Sequence, residues 1–491
     1  MKEMDPLDAA FLALETRTMH MHVGALAIFD TTSFDTTSQD QAANTAFTRL
    51  REIILGRIHT VEAMRRRAIQ APLGMDFPVW IEDPAFNIDN HLHSAGLPPP
   101  GGPSKLAHLV AEIMERKLDT DKPLWEIHMV QGIESGVTGK PENGRLAIVA
   151  KMHHCILDGE SGADLLAAVL DDGPTPRQLP PPESPWIPDP VPSLTEMLVH
   201  VATGIGARTK AALDSAARTA SFISNVTATH NRDPEQGGIM APFAPHLAPG
   251  TTINGAISPY RSFTMLDLPL TDIKLVAHAS STTVNHVILA SVAGALRKLL
   301  DSRGERPDRS LISLVPVSQH GDTAIRRSGN NVSAALVSLA THVKDPLDRL
   351  TAIAAGSRHA ISNSAPLYDN LLKAVSQVTV PGISHRLAAA VSKLKLLDKV
   401  NLPFNIVISN VRGPSTPLWC AGNRMTGLYP IGPLVEGIGI NVTAMSYMDR
   451  LGVGILACKE LVPDLDDFTR YLGESFTELE KAVSRRSAGN G

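Results

Sequence analysis

The apolar positions of this chain fall into two alternating kinds of run. Blocks of strand length and composition occur at Leu146–Met152, Ser262–Met265, Leu311–Val315, Val332–Leu339, Ile406–Ile408 and Val453–Leu456. Between them lie stretches with helical spacing. Ala163, Leu165, Leu166, Val169 and Leu170 follow the first block, and a second helical pattern runs from Val287 through Leu300. The alternation predicts an α/β protein, with no internal repeat of short period.

The clearest break in the pattern is the segment from Asp171 to Pro192. It is dense in proline (Pro174, Pro176, Pro180, Pro181, Pro182, Pro185, Pro188, Pro190 and Pro192) and has the composition of an extended linker. An Ala-rich stretch follows from Ser193 to about His230, with Leu194, Met197, Leu198 and Val201 at helical spacing; Gly204 and Gly206 interrupt it. Its second half sets Arg208, Lys210 and Arg218 among small apolar residues. That pattern suits a helix lying on a membrane surface, or a connector packed on its own protein. The expected organisation is a first domain over 1–170, a linker with a connecting helix over 171–259, and a second domain over 260–491.

Length and charge narrow the class. A chain of 491 residues exceeds one ordinary core and suggests two domains. A net charge of −5 gives no reason to expect nucleic acid. Cys155, Cys420 and Cys458 make no disulfide framework and fit a reducing compartment. No run reaches the ~18 consecutive apolar residues of a membrane span, and the mixed charges of Lys2, Glu3, Asp5 and Asp8 do not read as a secretory signal. The expectation is a cytoplasmic protein, attached at most to the inner membrane face or to lipid inclusions. Oligomeric state is left open.

The chemistry is concentrated where the first strand ends, in His153-His154-Cys155-Ile156-Leu157-Asp158-Gly159. Strand, turn and helix follow one another here. Adjacent strand residues point to opposite faces, so His153 and His154 do not share a pocket as a pair of metal ligands. One working imidazole remains, suited to proton transfer near neutral pH. Asp158 fits the N-cap of the next helix or a partner for an arginine elsewhere, and Gly159 relieves the turn. Cys155 offers a thiol nucleophile as a minor alternative.

The His-His-x-x-x-Asp-Gly motif resembles that of the CoA-dependent acyltransferase superfamily. The rest of the chain is similar to the bacterial wax ester synthase/diacylglycerol acyltransferase family. Met4-Asp5-Pro6-Leu7-Asp8-Ala9-Ala10-Phe11, then Met21-His22-Val23-Gly24, resemble its opening, and Pro123-Leu124-Trp125-Glu126 its Pro-Leu-Trp motif. Asn254-Gly255 with Arg261, then Val315-Pro316-Val317-Ser318 and Gly329-Asn330, resemble its middle block. Ser409-Asn410-Val411-Arg412-Gly413-Pro414 resembles its late Ser-Asn-Val-x-Gly-Pro segment. The landmarks keep the family's order over nearly the whole chain. One departs: the family's Asn-Asp pair reads Asn285-His286, which leaves Asn285 as a substrate-binding residue or as the cap of the helix from Val287.

The resemblance implies two chloramphenicol-acetyltransferase-like α/β sandwich domains with the active site, and His154, at their interface. It implies an O-acyltransferase that moves a long-chain acyl group from acyl-CoA to diacylglycerol or a fatty alcohol. His154 would be the general base, with His153, Asp158 and Gly159 around it, and Asn285, Ser409 and Asn410 near the substrates. No cofactor is expected besides acyl-CoA as co-substrate. The alternatives are a condensation-type acyltransferase using a carrier-protein thioester, an acyl-CoA hydrolase, and a non-catalytic lipid-binding relative.

Weaker signals read blandly. Arg65-Arg66-Arg67 suits CoA phosphates or anionic headgroups, or else a solvated helix face. His91-Leu92-His93 has no partner at zinc-ligand spacing and reads as a surface loop, so no metal site is expected. His20 and His22 read as strand residues without chemistry.

Overall fold

The computed structural model describes residues 2–31, 39–133, 145–156, 168–182, 186–203, 248–318, 332–358, 360, 393 and 402–489. In the first part of the chain the strands are β1 (Lys2–Glu3), β2 (His22–Asp30), β3 (Arg66–Ile69), β4 (Val79–Glu82), β5 (Leu92–Gly96), β6 (Trp125–Ile133) and β7 (Arg145–His153). Then come β8 (Asn254–Gly255), β9 (Arg261–Pro269), β10 (Ile312–Ser318), β11 (Val332–Ser338) and β12 (Ile406–Val411). Last are β13 (Trp419–Cys420), β14 (Asn423–Ile431), β15 (Gly437–Ile438), β16 (Ile440–Tyr447) and β17 (Arg450–Cys458). The helices used below are α1 (Pro6–Leu14), α2 (Gln39–Arg57), α3 (Pro103–Glu115) and α4 (194–203). They continue with α5 (Leu270–Ala279), α6 (Val284–Ser302), α7 (346–358) and α8 (Leu465–Gly489).

Every strand block read from the sequence lies within or largely overlaps a strand, and two six-stranded sheets result. One runs β13-β14-β2-β7-β6-β5 and the other β11-β10-β12-β16-β17-β9. Both are mixed: β5 lies parallel to β6, and β10, β12 and β16 are mutually parallel, while the remaining ladders are antiparallel. Two faces of the first sheet bury separate apolar clusters, because side chains alternate along each strand. Trp125, Met129 and Ile148 fill one; Val130, Val149 and the α3 residues Leu106 and Val110 fill the other. In the second half, α6 and α8 cover the sheet with Leu289, Leu296, Phe468 and Leu472.

The first sheet is completed from far down the chain. β14 pairs antiparallel with β2, and Trp419 of β13 bridges Asp171 at the start of the proline-rich segment. Local hydrophobic pattern carries no trace of that exchange. The second sheet meets β14 at β17, where a side chain on Gly452 or Gly454 would collide with the backbone carbonyls of Leu428 and Pro430. Glycine is required by that close approach. Tyr429 of β14 also donates its hydroxyl to Asp267 of β9 at 2.9 Å.

Further polar ties join the halves. The buried Arg261 guanidinium donates to the Thr18 carbonyl, and the Arg261 N–H to the Glu115 carboxylate at 2.7 Å. Glu436 accepts from the Thr18 hydroxyl at 3.0 Å and the Ile257 N–H at 3.1 Å.

Three sequence readings are corrected. Arg65-Arg66-Arg67 is not a helix face: Arg66 opens β3, and the three cations pair with Glu82, Glu62 and Asp83. Asn285 is not the helix cap. Thr283 is, accepting the His286 N–H at 3.3 Å, while the His286 ring accepts the Thr283 N–H at 3.3 Å. This reciprocal capping box explains how histidine serves at the position where the resemblance leads one to expect an acid. His91-Leu92-His93 is not a surface loop: His91 is buried between the rings of Phe86 and Trp125, and Leu92 opens β5.

The linker is docked. Arg57, at the end of α2, meets Asp171 at 2.6 Å with both side chains buried, and Asp171 also accepts the Arg177 N–H. Farther on, Trp186 lies under Arg65 and donates to Glu82. Ser193 and Glu196 cap α4 reciprocally, and Met197 and Val201 pack on Ala71 and Val79. Arg208, Lys210 and Arg218, with Gly204 and Gly206, lie outside the described residues. No helix among the described residues is long and apolar enough to cross a membrane.

Candidate active site

β7 delivers the two histidines, and the chain turns sharply after the first. His153 is the last strand residue and His154 opens a 3-10 turn, His154–Ile156. Two backbone bonds hold this point: Leu124 accepts the His153 N–H at 3.0 Å and Met21 accepts the His154 N–H at 2.9 Å. Met21 adopts a left-handed backbone, φ 51°, which is costly for a side chain of its size and is sustained by the surrounding fold. Leu124 belongs to the Pro-Leu-Trp landmark, whose Trp125 is buried and donates to the Met64 carbonyl at 2.9 Å.

The two imidazoles have different surroundings. His153 is buried, and its Nδ1 accepts the Cys155 N–H at 3.1 Å. Burial, then the neighbouring His154 and Lys117, push its pKa down to about 3, so it is neutral and committed to the turn. His154 keeps part of its surface open, while Phe11 of α1 covers it with ring centroids 4.2 Å apart. Burial lowers its pKa and its own backbone pushes weakly the other way. The ring is therefore an uncharged base at neutral pH. Asp5 caps α1, accepting the Leu7 N–H at 2.9 Å with Pro6 in the first turn, and so aims Phe11.

His22 faces His153 across the β2–β7 ladder, with ring centroids 6.3 Å apart, and His20 lies beside it at 5.3 Å. His22 opens β2, but His20 lies before it and outside any strand. Burial, then the charge of Arg261, lowers the pKa of His20 to about 4; burial and Lys151 hold His22 well below its ordinary value. Cys155 is fully enclosed, and burial with the nearby carboxylates of Asp8 and Glu15 pushes its thiol up, which argues against a thiolate nucleophile.

The remaining candidates divide. Asp158 and Gly159 lie outside the described residues, as do the helical positions 163–167 and Gly329-Asn330. Asn285 sits in the first turn of α6, half-buried. Ser409 and Asn410 occupy the end of β12, half-buried, in register with Thr443 and Ala444 of β16. All three belong to the second half, and none is among the described contacts of His154. In the same late landmark Gly413 passes the Ser446 carbonyl too closely for any side chain.

Sequence reasoning placed Phe11, Met21 and Leu124 within the family landmarks but missed their roles, which are exerted through a ring face and two carbonyls. It also missed Lys151, a charge inside an apolar strand. Its ammonium is buried, reaching the Ile113 and Arg116 carbonyls at 3.1 and 3.0 Å and Glu126 at 2.8 Å. Burial works against the Glu126 carboxylate, but hydrogen bonds from His128 and the charge of Lys151 hold its pKa at about 2.

Comparison with known proteins places this geometry. The wax ester synthase/diacylglycerol acyltransferase catalytic domain matches residues 4–288, and the C-terminal domain of the same family matches residues 328–480. The chain belongs to that family and is an acyltransferase. A putative diacylglycerol O-acyltransferase of Mycobacterium tuberculosis is 30% identical over 496 residues, covering 100% of this chain and 92% of the relative. The wax ester synthase/diacylglycerol acyltransferase from Marinobacter aquaeolei VT8 superposes with a TM-score of 0.67 at 25% identity, covering 99% of this chain and 100% of that one. The starter condensation domain of rhizomide synthetase superposes at 0.53 with 11% identity, covering 99% of this chain and 94% of that one; this likeness concerns the fold alone. The two-domain α/β architecture expected from the sequence is borne out.

Proposed function

We propose that the protein transfers a long-chain acyl group from acyl-CoA to the hydroxyl of diacylglycerol, and also to long-chain fatty alcohols. The observation that carries the mechanism is the division of labour in the motif: His153 is tied to the Cys155 amide, while His154 is neutral, partly open and steadied by Phe11. His154 takes the acceptor proton as the alcohol oxygen attacks the thioester carbon. The tetrahedral intermediate collapses with cleavage of the carbon–sulfur bond, and the imidazolium returns the proton to the departing thiolate. General-base help of this kind supplies ~10²–10⁴-fold in rate. Alignment of two substrates and stabilisation of the oxyanion supply the rest, with Asn285, Ser409 and Asn410 the candidate polar groups on the facing half. Asp158 and Gly159 complete the motif after the turn. The reaction uses no cofactor beyond the acyl-CoA co-substrate.

The acceptors are water-insoluble, so the enzyme works at a lipid surface, on the membrane face or on lipid inclusions. Support comes from the docked linker and α4, where Ile187 and Leu194 are 82% and 67% exposed and Leu198 and Val199 also face out. Such apolar residues, held on a firm base by Met197 and Val201, suit reversible docking.

The test is incubation of purified protein with labelled acyl-CoA alone, with diacylglycerol, and with hexadecanol. Labelled triacylglycerol and wax ester that appear only with the acceptor support the reading. Release of free acid with no ester under either condition overturns it in favour of a hydrolase.

A further inference from the structure

The outer edge of the first sheet carries a cluster that the acyl-transfer chemistry does not use. His93 of β5 and His128 of β6 are register partners in the parallel ladder, with ring centroids 4.7 Å apart. Glu126 stands two residues before His128 on the same face, and its carboxylate lies 3.2 Å from the His128 Nε2. One ligand atom from each of the three side chains lies within 4.8 Å of the others, and the site is half-buried to buried.

We infer that His93, Glu126 and His128 bind one divalent transition-metal ion of the zinc class, which pins edge strand β5 to β6. Two imidazoles and a carboxylate are a donor set that zinc takes at three of its four positions, leaving water for the last. Hard cations such as magnesium prefer all-oxygen sites. Tetrahedral bonds of roughly 2.1 Å place ligand atoms roughly 3.4 Å apart, so the observed spacing closes with small side-chain rotations. Binding replaces the His128–Glu126 hydrogen bond with two metal bonds. The Lys151 ammonium lies 2.8 Å from the same Glu126 oxygen that faces His128 and opposes a dication; its bonds to the Ile113 and Arg116 carbonyls at the end of α3, where the helix dipole favours a positive charge, offset part of that charge. The Lys151 contact also fixes the orientation of the carboxylate, as outer partners of metal ligands do. Such a clamp would secure β5, a five-residue strand that pairs with β6 alone among the described residues.

The test uses the full chain and the metal alone, and it is independent of acyl transfer. Zn²⁺ titrated by calorimetry should bind at one ion per chain, and the melting midpoint should climb with Zn²⁺ concentration. Co²⁺ should give the visible bands of a low-coordinate site, and excess Mg²⁺ should not displace either ion. The double variant His93→Gln/His128→Gln should lose all three responses while keeping the metal-free melting midpoint. Glu126→Gln should weaken the binding without abolishing the fold. Absence of stoichiometric binding by the unaltered chain, or equal binding by the double variant through other histidines, would overturn the inference.

Discussion

The Nδ1 of His153 accepts the backbone N–H of Cys155 at 3.1 Å, and this single bond separates the two motif histidines. It occupies the first imidazole in shaping the turn that presents the second. His154→Ala should therefore lose ~10²–10⁴-fold in turnover with little change in melting temperature. His153→Ala should destabilise first, by ~1–3 kcal/mol, because a buried N–H loses its acceptor. His153→Asn, which offers an oxygen in its place, should recover part of that loss. Denaturant midpoints and steady-state rates on the three variants check this. Near-normal transfer by a folded His154→Ala variant would refute the mechanism.

Much of this was legible in the chain. Apolar runs of strand length and composition marked the strands, and the His-His-x-x-x-Asp-Gly motif marked the end of β7, because both are written in neighbouring residues. What stayed hidden depends on distant partners. Nothing local says that Asn423–Ile431 pairs with His22–Asp30, nor that Asp171 is seated on Arg57. His91 read as a surface-loop residue because no partner stood at zinc-ligand spacing; only the fold shows it stacked on Trp125. Phe11 was read only as part of the opening landmark, since contact with an imidazole leaves no mark on periodicity.

The Arg57–Asp171 pair has a stability role apart from chemistry. Both side chains are buried, so removing one strands the other charge. Asp171→Ala should cost ~3–5 kcal/mol and make the proline-rich segment more susceptible to protease. The residual folded protein should keep its turnover per active molecule. An unchanged urea midpoint would show that the pair is dispensable.

The capping box at α6 predicts an asymmetry between its two members. Thr283→Ala should cost ~0.5–2 kcal/mol, since the cap oxygen is lost. His286→Asp restores the acid that the resemblance leads one to expect, and it should fall within a few tenths of a kcal/mol of the parent, because a carboxylate at a helix N-terminus is favourable. Chemical denaturation of both variants decides. A large loss with His286→Asp would assign the imidazole another task.

Acid should unfold the protein earlier than an average domain. The folded pKa values of His20 and His153, about 4 and about 3, lie below the ordinary 6.5, so the unfolded chain binds protons more readily. Stability from these groups is complete above pH 6.5 and declines as pH falls through their folded values. A tenfold difference in proton affinity between the folded and unfolded chain corresponds to ~1.4 kcal/mol, so His20 alone accounts for roughly 3 kcal/mol. His20→Gln should flatten the melting temperature between pH 6.5 and 4. An unchanged slope in that variant would remove His20 from the account.

Docking on lipid rests on side chains whose loss should leave the fold alone. Ile187, Leu194 and Leu198 are exposed, so replacing all three with serine should change stability by no more than about 0.5 kcal/mol per site. Burial in a lipid interface stabilises docking by ~25 cal/mol per Å² of apolar surface, so removing these three side chains should weaken vesicle binding more than tenfold. Flotation with anionic vesicles measures this. Transfer to a short, water-soluble alcohol serves as the control and should be unaffected, since His154 and Phe11 are untouched. Vesicle binding retained in full by the triple variant would show that the linker and α4 do not make the lipid contact.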